Sequence, residues 1–265
     1  NLPAGNAQHR FSATQLTVVD NQLHTVCEEA RCPNIHDCWA RGTATFMVAG
    51  KACTRGCRFC AVETVKNPPP LDHLEPDHLA AAVRRMGLSH VVITVVNRDD
   101  LADGGAKHYR QCVWAVHRSA PSVTIELLCS DLGGNIQALS ALLEDLPLAV
   151  FAHNVECVAR LDRRVRDPRA SFDQSLSVLF QTKVLRPDVF TKSSLMVGLG
   201  ESDEEILESL QRLRHSQVDL LTLGQYLAPS DGHLPVERYV PPTDFDRWAD
   251  QARELGFKAV AAGPL

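Results

Sequence analysis

The chain has 265 residues, a length typical of one large domain or two small ones. Its content of 45% hydrophobic and 22% charged residues is ordinary for a globular protein with a sizeable core. The net charge of −5 gives no basic field that would hold nucleic acid. The longest apolar runs are far shorter than the ~20 residues of a membrane helix. Since no secretory leader opens the sequence either, we expect a cytoplasmic location, or the stroma or matrix of an organelle in a eukaryote.

Six β-rich runs alternate with helix-length segments along most of the chain. The runs are nearly continuous in Val, Ile, Leu and Thr, as strands buried on both faces are. The predicted strands are Thr43–Ala49, His90–Val96, Val123–Leu128, Leu148–His153, Thr191–Leu199 and Val218–Tyr226. The predicted helices are Asp77–Met86, Ala106–Ser119, Asn135–Asp145, Phe172–Lys183, Asp203–His215 and Phe245–Leu255. One helix start is marked by a capping box, in which Ser202 is followed three residues later by Glu205.

Six strand–helix units of roughly 30 residues fit either a doubly wound sheet or an incomplete barrel. A complete eight-unit barrel would typically need about 250 residues for its repeats alone. No Gly-x-Gly-x-x-Gly follows the first strand, which leads into cysteines instead. We therefore predict an α/β fold with an incomplete (β/α)6 TIM-like barrel over residues 43–226. Residues 1–42 are predicted to form an N-terminal extension that carries cysteines, and residues 227–265 a C-terminal extension.

Three of the nine cysteines follow directly on the first strand, with a three-residue and a two-residue gap. This loop triplet consists of Cys53, Cys57 and Cys60. Three thiolates on one loop can bind three irons of a four-iron cluster and leave one iron open to a small molecule. The alternative is a zinc site of three cysteines completed by a histidine.

A second set of three cysteines lies just upstream. This N-terminal triplet consists of Cys27, Cys32 and Cys38. It is consistent with a second cluster, and a structural zinc site completed by His24 or His36 is the alternative. The three remaining cysteines are predicted to be buried thiols: Cys112, Cys129 and Cys157.

The spacing of the loop triplet, with Phe59 before its last cysteine, resembles the radical S-adenosylmethionine (SAM) superfamily. The surrounding sequence resembles the lipoyl synthase family in particular, over roughly residues 24–265. The matching segments are CPNIHDCW (32–39), GTATFM (42–47), CTRGCRFC (53–60), NRDDL (97–101), DGGA (103–106), HNVE (153–156), TKS (191–193), MVGLGE (196–201) and LGQYL (223–227).

The resemblance implies two [4Fe–4S] clusters and SAM as cofactors. The cluster on the loop triplet would cleave SAM reductively to give a 5′-deoxyadenosyl radical, and a cluster on the N-terminal triplet would supply sulfur. The implied reaction inserts sulfur at carbons six and eight of an octanoyl group carried on a protein lysine. A radical suits this task because no side-chain base can remove a proton from an unactivated methylene carbon.

The resemblance also implies partners. The substrate proteins would be octanoylated carriers, either the lipoyl domain of a 2-oxoacid dehydrogenase acyltransferase or the glycine-cleavage H protein. A ferredoxin- or flavodoxin-type protein would donate electrons, and the enzyme would be a monomer. In the family a serine of an Arg-Ser-Ser-Tyr motif after Gly-Pro-Leu completes the auxiliary cluster. This sequence ends at Gly263-Pro264-Leu265, so it lacks that expected ligand.

Further residues are candidates for holding SAM. Asn97, Glu126 and Asn154 lie at or near the ends of predicted strands, where barrel enzymes place their catalytic groups. A carboxylate and two amides suit ribose hydroxyls and the methionine amine, whereas loop capping is the alternative reason for such residues. Lys192 lies inside a predicted strand, so we expect it to pair with a carboxylate or to face the cavity. The resemblance adds Phe59, Gly198, Gly200, Glu201, Gln225 and Leu227 to this cofactor site.

The two glycines of the segment Gly198–Gly200 precede a helix whose first turn carries three acidic residues. This pattern disfavours phosphate and favours a cationic ligand such as a sulfonium, unless the glycines merely end a strand. Five arginines after the fourth predicted strand form either a solvated face or a docking surface for an acidic carrier. They are Arg160, Arg163, Arg164, Arg166 and Arg169.

The sequence also fits three other interpretations. One is a different sulfur-inserting enzyme such as biotin synthase, whose family takes its second set of cluster ligands from the barrel strands. Another is a zinc-binding scaffold without catalytic activity. The third is a radical SAM fold that is inactive because the C-terminal motif is missing.

Overall fold

Parallel β-strands lie where the apolar runs predict them, with ends displaced by no more than two residues. The computed structural model describes residues 24–25 and 45–264. The strands are β1 (His24–Thr25), β2 (Thr45–Val48), β3 (Ala52–Cys53), β4 (Glu63–Thr64), β5 (His90–Val95), β6 (Thr124–Leu128), β7 (Val150–Ala152), β8 (Phe190–Val197), β9 (Leu220–Gln225) and β10 (Ala259–Gly263).

Seven α-helices connect or flank these strands in the described part of the chain, besides two short 3-10 helices at Leu132–Gly134 and Ala159–Leu161. The α-helices are α1 (Glu75–Met86), α2 (Ala106–Ser119), α3 (Ile136–Leu143), α4 (Asp162–Val165), α5 (Phe172–Leu185), α6 (Asp203–His215) and α7 (Pro242–Glu254). Their ends follow from local chemistry. Helix α1 has proline in its first turn and ends at Gly87 in the left-handed region, with φ +59°. The predicted capping box of Ser202 and Glu205 is present at the start of α6 and is thereby confirmed.

The main sheet has eight strands in the order β1-β2-β5-β6-β7-β8-β9-β10. Strand β1 runs antiparallel to β2, and every other neighbouring pair is parallel. Strands β1 and β10 lie at the two edges, so the sheet does not close within the described residues. This arrangement confirms the predicted α/β class with a partial TIM-like barrel.

All six parallel strands predicted over residues 43–226 are present, and β10, in the predicted C-terminal extension, adds a seventh parallel strand beside β9. The sequence of β10, Ala-Val-Ala-Ala-Gly, lacks the β-branched run of the other strands, which is why no strand was predicted there. The division of the chain into an N-terminal extension, a barrel and a C-terminal extension stays a prediction.

Buried apolar side chains form two clusters that join the strands to the helices. One joins β2, β5 and β6 to α1, α2 and α3, with Phe46 and Ile93 fully buried. The other joins β8 and β9 to α5, α6 and α7, with Trp248 fully buried. Each fully buried aliphatic or aromatic side chain of this kind contributes about 1.5–3 kcal/mol relative to exposure. These clusters hold the strands in a fixed register and so fix the positions of the residues at their carboxyl ends. None of the described helices is both long enough and apolar enough to cross a membrane.

The turn after β8 depends on a close approach that only glycine allows. Gly198 has φ +96°, and a Cβ there would lie 2.3 Å from Gln225 Nε2 and 2.4 Å from the Arg238 carbonyl oxygen. The Gln225 amide is itself fixed, because its Oε1 accepts a hydrogen bond from the Val240 N–H at 2.8 Å. A side chain at position 198 would therefore push against atoms that cannot move freely.

We expect Gly198→Ala to be considerably more destabilising than Gly87→Ala. Both glycines have positive φ, but a Cβ on Gly87 would meet nothing within 4 Å. Gly87→Ala should cost about 1 kcal/mol of backbone strain, and Gly198→Ala about 2 kcal/mol or more beyond that. Urea unfolding of the two variants measures the difference, and equal losses would show that the close approach is unimportant.

Candidate active site

A cavity of about 570 Å³ lies at the carboxyl ends of the parallel strands. The loop triplet lines it: Cys53 ends β3, and Cys57 and Cys60 follow in the loop before β4. All three thiols are free and half-buried. This is the position at which barrel folds place their active sites.

Backbone N–H groups are directed at two of these sulfurs. Cys53 Sγ accepts hydrogen bonds from the N–H groups of Arg55 at 3.4 Å and Asn97 at 3.3 Å. Cys57 Sγ accepts one from the Asp167 N–H at 3.3 Å. Such donors stabilise negative charge on sulfur, whether in a thiolate or in a metal-bound sulfur.

Burial raises the pKa of Cys57 to about 11 and also raises the pKa of Cys60. These two thiols are therefore protonated at neutral pH until a metal displaces their protons. Among the described residues, only Glu75, His108 and Cys112 bring three ligand atoms within 4.8 Å of one another. The loop triplet is not such a group, so at least two of its sulfurs lie further apart than this distance. A cluster, in which each cysteine binds a separate iron, accommodates such a separation.

Four of the residues predicted to hold the cofactor line the same cavity. They are Phe59, Asn97, Asn154 and Leu227. Gln225 lines it too, although its side-chain amide is hydrogen-bonded to backbone groups of residues 197, 226, 238 and 240. The structure therefore brings these residues together with the loop triplet, while their cofactor roles stay predictions.

Glu126 and Lys192 pair with each other inside the barrel, and neither is among the cavity-lining residues. Lys192 Nζ donates to Glu126 Oε1 at 2.8 Å, and His90 Nε2 lies 3.7 Å from the other carboxylate oxygen. Burial opposes ionisation of Glu126, but the contacts with His90 and Lys192 outweigh it and lower the pKa. Of the two alternatives expected for Lys192, pairing with a carboxylate is the one observed. Contact of Glu126 and Lys192 with SAM stays a prediction.

The turn of Gly198, Gly200 and Glu201 also lies outside the cavity lining. The Glu201 carboxylate accepts hydrogen bonds from the N–H groups of Gly198 at 2.6 Å and Leu199 at 2.9 Å. The carboxylate thus satisfies the backbone of its own turn. Contact of these three residues with SAM stays a prediction.

Glu156 is a cavity-lining carboxylate that the sequence analysis did not single out. It lies beyond the end of β7 with a positive φ of 67°, and its side chain is hydrogen-bonded to that of Asn154. Burial raises its pKa. The signal was present in the sequence, since Glu156 follows Asn154 at the end of the fourth predicted strand.

His153, also at the end of β7, is a buried and neutral member of the cavity wall. Its Nδ1 lies 2.8 Å from the Cys129 carbonyl oxygen and its Nε2 lies 2.9 Å from Ser175 Oγ. Arg166 Nη2 donates to the same hydroxyl at 2.9 Å, so the hydroxyl proton is free to bind Nε2. These contacts fit the tautomer with its proton on Nδ1. Desolvation lowers the pKa of His153 to about 4.

Most side chains of the arginine-rich segment form ion pairs or hydrogen bonds within the chain. Arg160 pairs with Glu205, Arg164 with Glu237 and Arg169 with Asp167. Arg166 is buried against Asp162 and Ser175. These pairs reduce the free positive charge available to attract an acidic carrier, and the docking role stays a prediction.

The other cysteine predictions divide in two. Cys112, Cys129 and Cys157 are free and buried, as predicted. Cys27, Cys32 and Cys38 lie outside the described residues.

Comparison with protein families places the site in a known context. Residues 47–213 match the model of the radical SAM superfamily. The lipoyl synthase of Halorhodospira halophila is 54% identical over 248 residues, which cover 94% of this chain and 74% of that protein. The lipoyl synthase of Thermus thermophilus is 51% identical over 264 residues, which cover 100% of this chain and 80% of that protein. The chloroplastic lipoyl synthase of Arabidopsis thaliana is 51% identical over 261 residues, which cover 97% of this chain and 66% of that protein.

Solved structures show the same fold at low sequence identity. Streptococcus suis SuiB bound to S-adenosylmethionine has a TM-score of 0.62 at 9% identity, and the match covers 86% of this chain and 53% of the SuiB chain. Methylornithine synthase (PylB) has a TM-score of 0.55 at 14% identity, and the match covers 97% of this chain and 85% of the PylB chain. At such identities the likeness supports the fold alone.

We expect His153 to make the protein acid-sensitive between pH 7 and 5. The unfolded chain binds a proton on this histidine below pH ~6.5, whereas the folded protein does not until about pH 4. Stability therefore falls as the pH drops through this window, by about 2 kcal/mol at pH 5. Urea unfolding of the metal-free protein at both pH values measures the loss. His153→Gln should remove most of the pH dependence, and a variant that keeps the full slope would contradict the assignment.

Proposed function

This chain belongs to the lipoyl synthase family of the radical SAM superfamily, and from that premise we propose that it makes the lipoyl cofactor. The reaction inserts two sulfur atoms, at carbons six and eight of an octanoyl group carried on a protein lysine. The observation that carries the proposal is the loop triplet, whose three free thiols line one cavity at the carboxyl ends of the strands.

We propose that the loop triplet holds a [4Fe–4S] cluster with one iron open to SAM. When bound, this cluster supplies the electron that cleaves SAM and starts radical chemistry. The protein's part is to hold the three sulfurs, to direct N–H groups at Cys53 and Cys57, and to limit access of water. The N-terminal triplet would hold the auxiliary cluster that donates sulfur.

The cavity wall offers both polar and apolar surfaces to its ligands. The amides of Asn97 and Asn154, with Phe59, Gln225 and Leu227, are proposed to surround SAM. Apolar side chains form much of the remaining wall, including Met47, Leu128 and Met196. Since an octanoyl chain is apolar, these side chains suit its burial beside the radical source.

Glu156 is a better candidate than Glu126 for the carboxylate that binds the polar groups of SAM. Two carboxylates line the cavity among the described residues, Asp131 and Glu156. Asp131 already binds Arg55, and Glu126 is paired with Lys192 outside the lining. Glu156 therefore has the most capacity to accept hydrogen bonds from a hydroxyl or an amine of the ligand.

The partners follow from the same reaction. We propose that the substrates are octanoylated lipoyl domains of 2-oxoacid dehydrogenase acyltransferases or the glycine-cleavage H protein, and that a ferredoxin or flavodoxin donates electrons. A monomer suits a site that must admit a protein-bound arm. The relatives include chloroplastic and mitochondrial proteins, so the proposed location is the cytoplasm, or the stroma or matrix in a eukaryote.

The first test is metal and sulfide content after reconstitution without oxygen. We expect about eight irons and eight sulfides per chain, and about four of each in a Cys53→Ala variant. Octanoylated carrier protein, SAM and a reductant should then give a lipoylated product, detected by its mass. Bound zinc and colourless protein would contradict the proposed function. Four irons in the unaltered chain would show that it holds no auxiliary cluster.

A second test decides between the two carboxylates. Glu156→Gln should raise the Kd for SAM about tenfold, because a charge-assisted hydrogen bond is lost. Glu126→Gln should change the Kd by no more than about twofold if the ion pair only supports the barrel. Equilibrium binding of SAM to the reconstituted protein measures both values. The reverse ranking would assign the role to Glu126 instead.

A further inference from the structure

Arg55 lies between two of the cluster cysteines, and its side chain is buried, with 3% exposed. Its guanidinium bridges two carboxylates that follow neighbouring strands. Nε and Nη2 donate to Asp99, after β5, at 3.0 and 2.8 Å. Nη1 and Nη2 donate to Asp131, after β6, at 2.7 Å each. The cysteine loop is thereby tied to two strand ends at once.

Each of the two carboxylates also accepts hydrogen bonds from groups other than Arg55. Asp99 accepts a hydrogen bond from Thr54 Oγ1 at 2.6 Å. Asp131 accepts hydrogen bonds from Gln174 Nε2 at 2.7 Å and from the Gly133 N–H at 3.0 Å. Because both acceptors are fixed, the planar fork of an arginine fits between them in one orientation. A lysine in its place could not make two bidentate contacts.

The backbone of Arg55 is in direct contact with a ligand sulfur. Its N–H donates to Cys53 Sγ at 3.4 Å, and its carbonyl oxygen accepts from Thr64 Oγ1 at 3.2 Å. An anchor on the side chain of Arg55 therefore also sets the direction of a hydrogen bond to the sulfur of Cys53.

The other side of the same loop is held by the segment before α5. The Gly56 N–H donates to Asp167 Oδ2 at 2.9 Å, and the Asp167 N–H donates to Cys57 Sγ. Arg169 Nη2 donates to the Thr54 carbonyl oxygen at 2.6 Å. Each residue between Cys53 and Cys57 thus has a partner outside the loop.

We propose that Arg55 is a positioning residue for the metal cluster. By bridging Asp99 and Asp131, it sets the spacing of Cys53 and Cys57 before iron binds and holds their sulfurs in place afterwards. Preorganised ligands lose less conformational entropy on binding, and contacts behind the ligands typically change metal affinity by 10–100-fold. This inference rests on the proposed function, in that it takes the loop triplet to hold an iron–sulfur cluster.

The test uses the full chain with Cys27, Cys32 and Cys38 replaced by alanine, so that iron reports on the loop triplet alone. The measurement is the rate of iron release to a chelator without oxygen, well below the unfolding temperature. Arg55→Lys should release iron about tenfold faster. Arg186→Lys is the matched control, because Arg186 also makes a bidentate pair, with Asp188 at 2.9 and 2.7 Å, away from the cavity lining. Its release rate should stay within about twofold of the parent.

A second variant guards against misfolding of Arg55→Lys, which circular dichroism would reveal. Asp131→Asn keeps the shape of one acceptor and removes its charge. It should also release iron faster, and it should raise the midpoint potential of the cluster because one nearby negative charge is lost. Asp188→Asn, the matched control, should change neither quantity.

The outcomes separate this inference from the proposed function. If the parent protein takes up no iron, the proposed function fails whatever Arg55 does. If it takes up iron and Arg55→Lys releases it at the parent rate, the positioning role is wrong. Equal acceleration by Arg55→Lys and Arg186→Lys would indicate a general loss of stability and would overturn the proposal too. Should Arg55→Lys not fold, Asp131→Asn decides, and parent-like release and potential would overturn it.

Discussion

The attachment of the cysteine loop to the sheet is the constraint on which the rest of the site depends. The loop from Cys53 to Cys60 has almost no regular structure, yet the proposed function requires it to present three sulfurs to one cofactor. Burying the Arg55 guanidinium between two carboxylates contributes little net stability, because desolvation offsets most of the attraction. Removing one partner would nevertheless leave a buried charge uncompensated and cost about 3–5 kcal/mol. We therefore interpret the buried triad as a device that selects one loop conformation.

The segment that leads from β2 into the cysteine loop is held by a residue of helix α1. Ala49 and Gly50, between β2 and Cys53, both have positive φ, at 70° and 87°. The Glu75 carboxylate accepts hydrogen bonds from their N–H groups at 2.7 and 3.2 Å and faces His108 Nε2 at 2.5 Å. The spacing of Glu75, His108 and Cys112 would suit a metal ion, but these donors already occupy the carboxylate. Helix α1 thus fastens the start of the loop, as Arg55 fastens its middle.

Strand positions could be predicted from the sequence because parallel strands buried on both faces leave long apolar runs. Strand β10 could not, because its small residues are positioned by pairing with β9 and carry no local signal. The same limit applies to the carboxylates. Glu126 lies two residues before the end of β6, where it faces Lys192, whereas Glu156 lies past the end of β7 and lines the cavity. A sequence identifies a carboxylate near a strand end, but register decides whether it lies below the cavity or in its wall.

The chemistry of the cysteine loop was predictable for a different reason. Its three cysteines lie close together in one short segment of the sequence, so no long-range contact is needed to bring their thiols together. The partners of Arg55 are 44 and 76 residues away in sequence, and they meet it only because β5 and β6 are neighbours in the sheet. Local spacing was therefore sufficient to predict the cluster ligands, whereas the contacts that hold the loop in place are visible only in the fold.

Apart from Glu156 and the loop triplet, which are proposed to bind the cofactors, the titratable side chains that line the cavity are already engaged in contacts within the protein. Asp131 is bound to Arg55, and the pKa of this carboxyl is lowered to about 2, against the effect of its burial. His153 is neutral and hydrogen-bonded at both ring nitrogens, and Arg166 is held by Asp162 and Ser175. A proton-transfer enzyme would need one of these groups to be free of such contacts and to have a pKa near the working pH. A radical enzyme needs the opposite, because its reactive group comes from the cofactor and the surrounding wall must not compete with the substrate. The way in which the described side chains are already engaged therefore favours cofactor-based chemistry at this site.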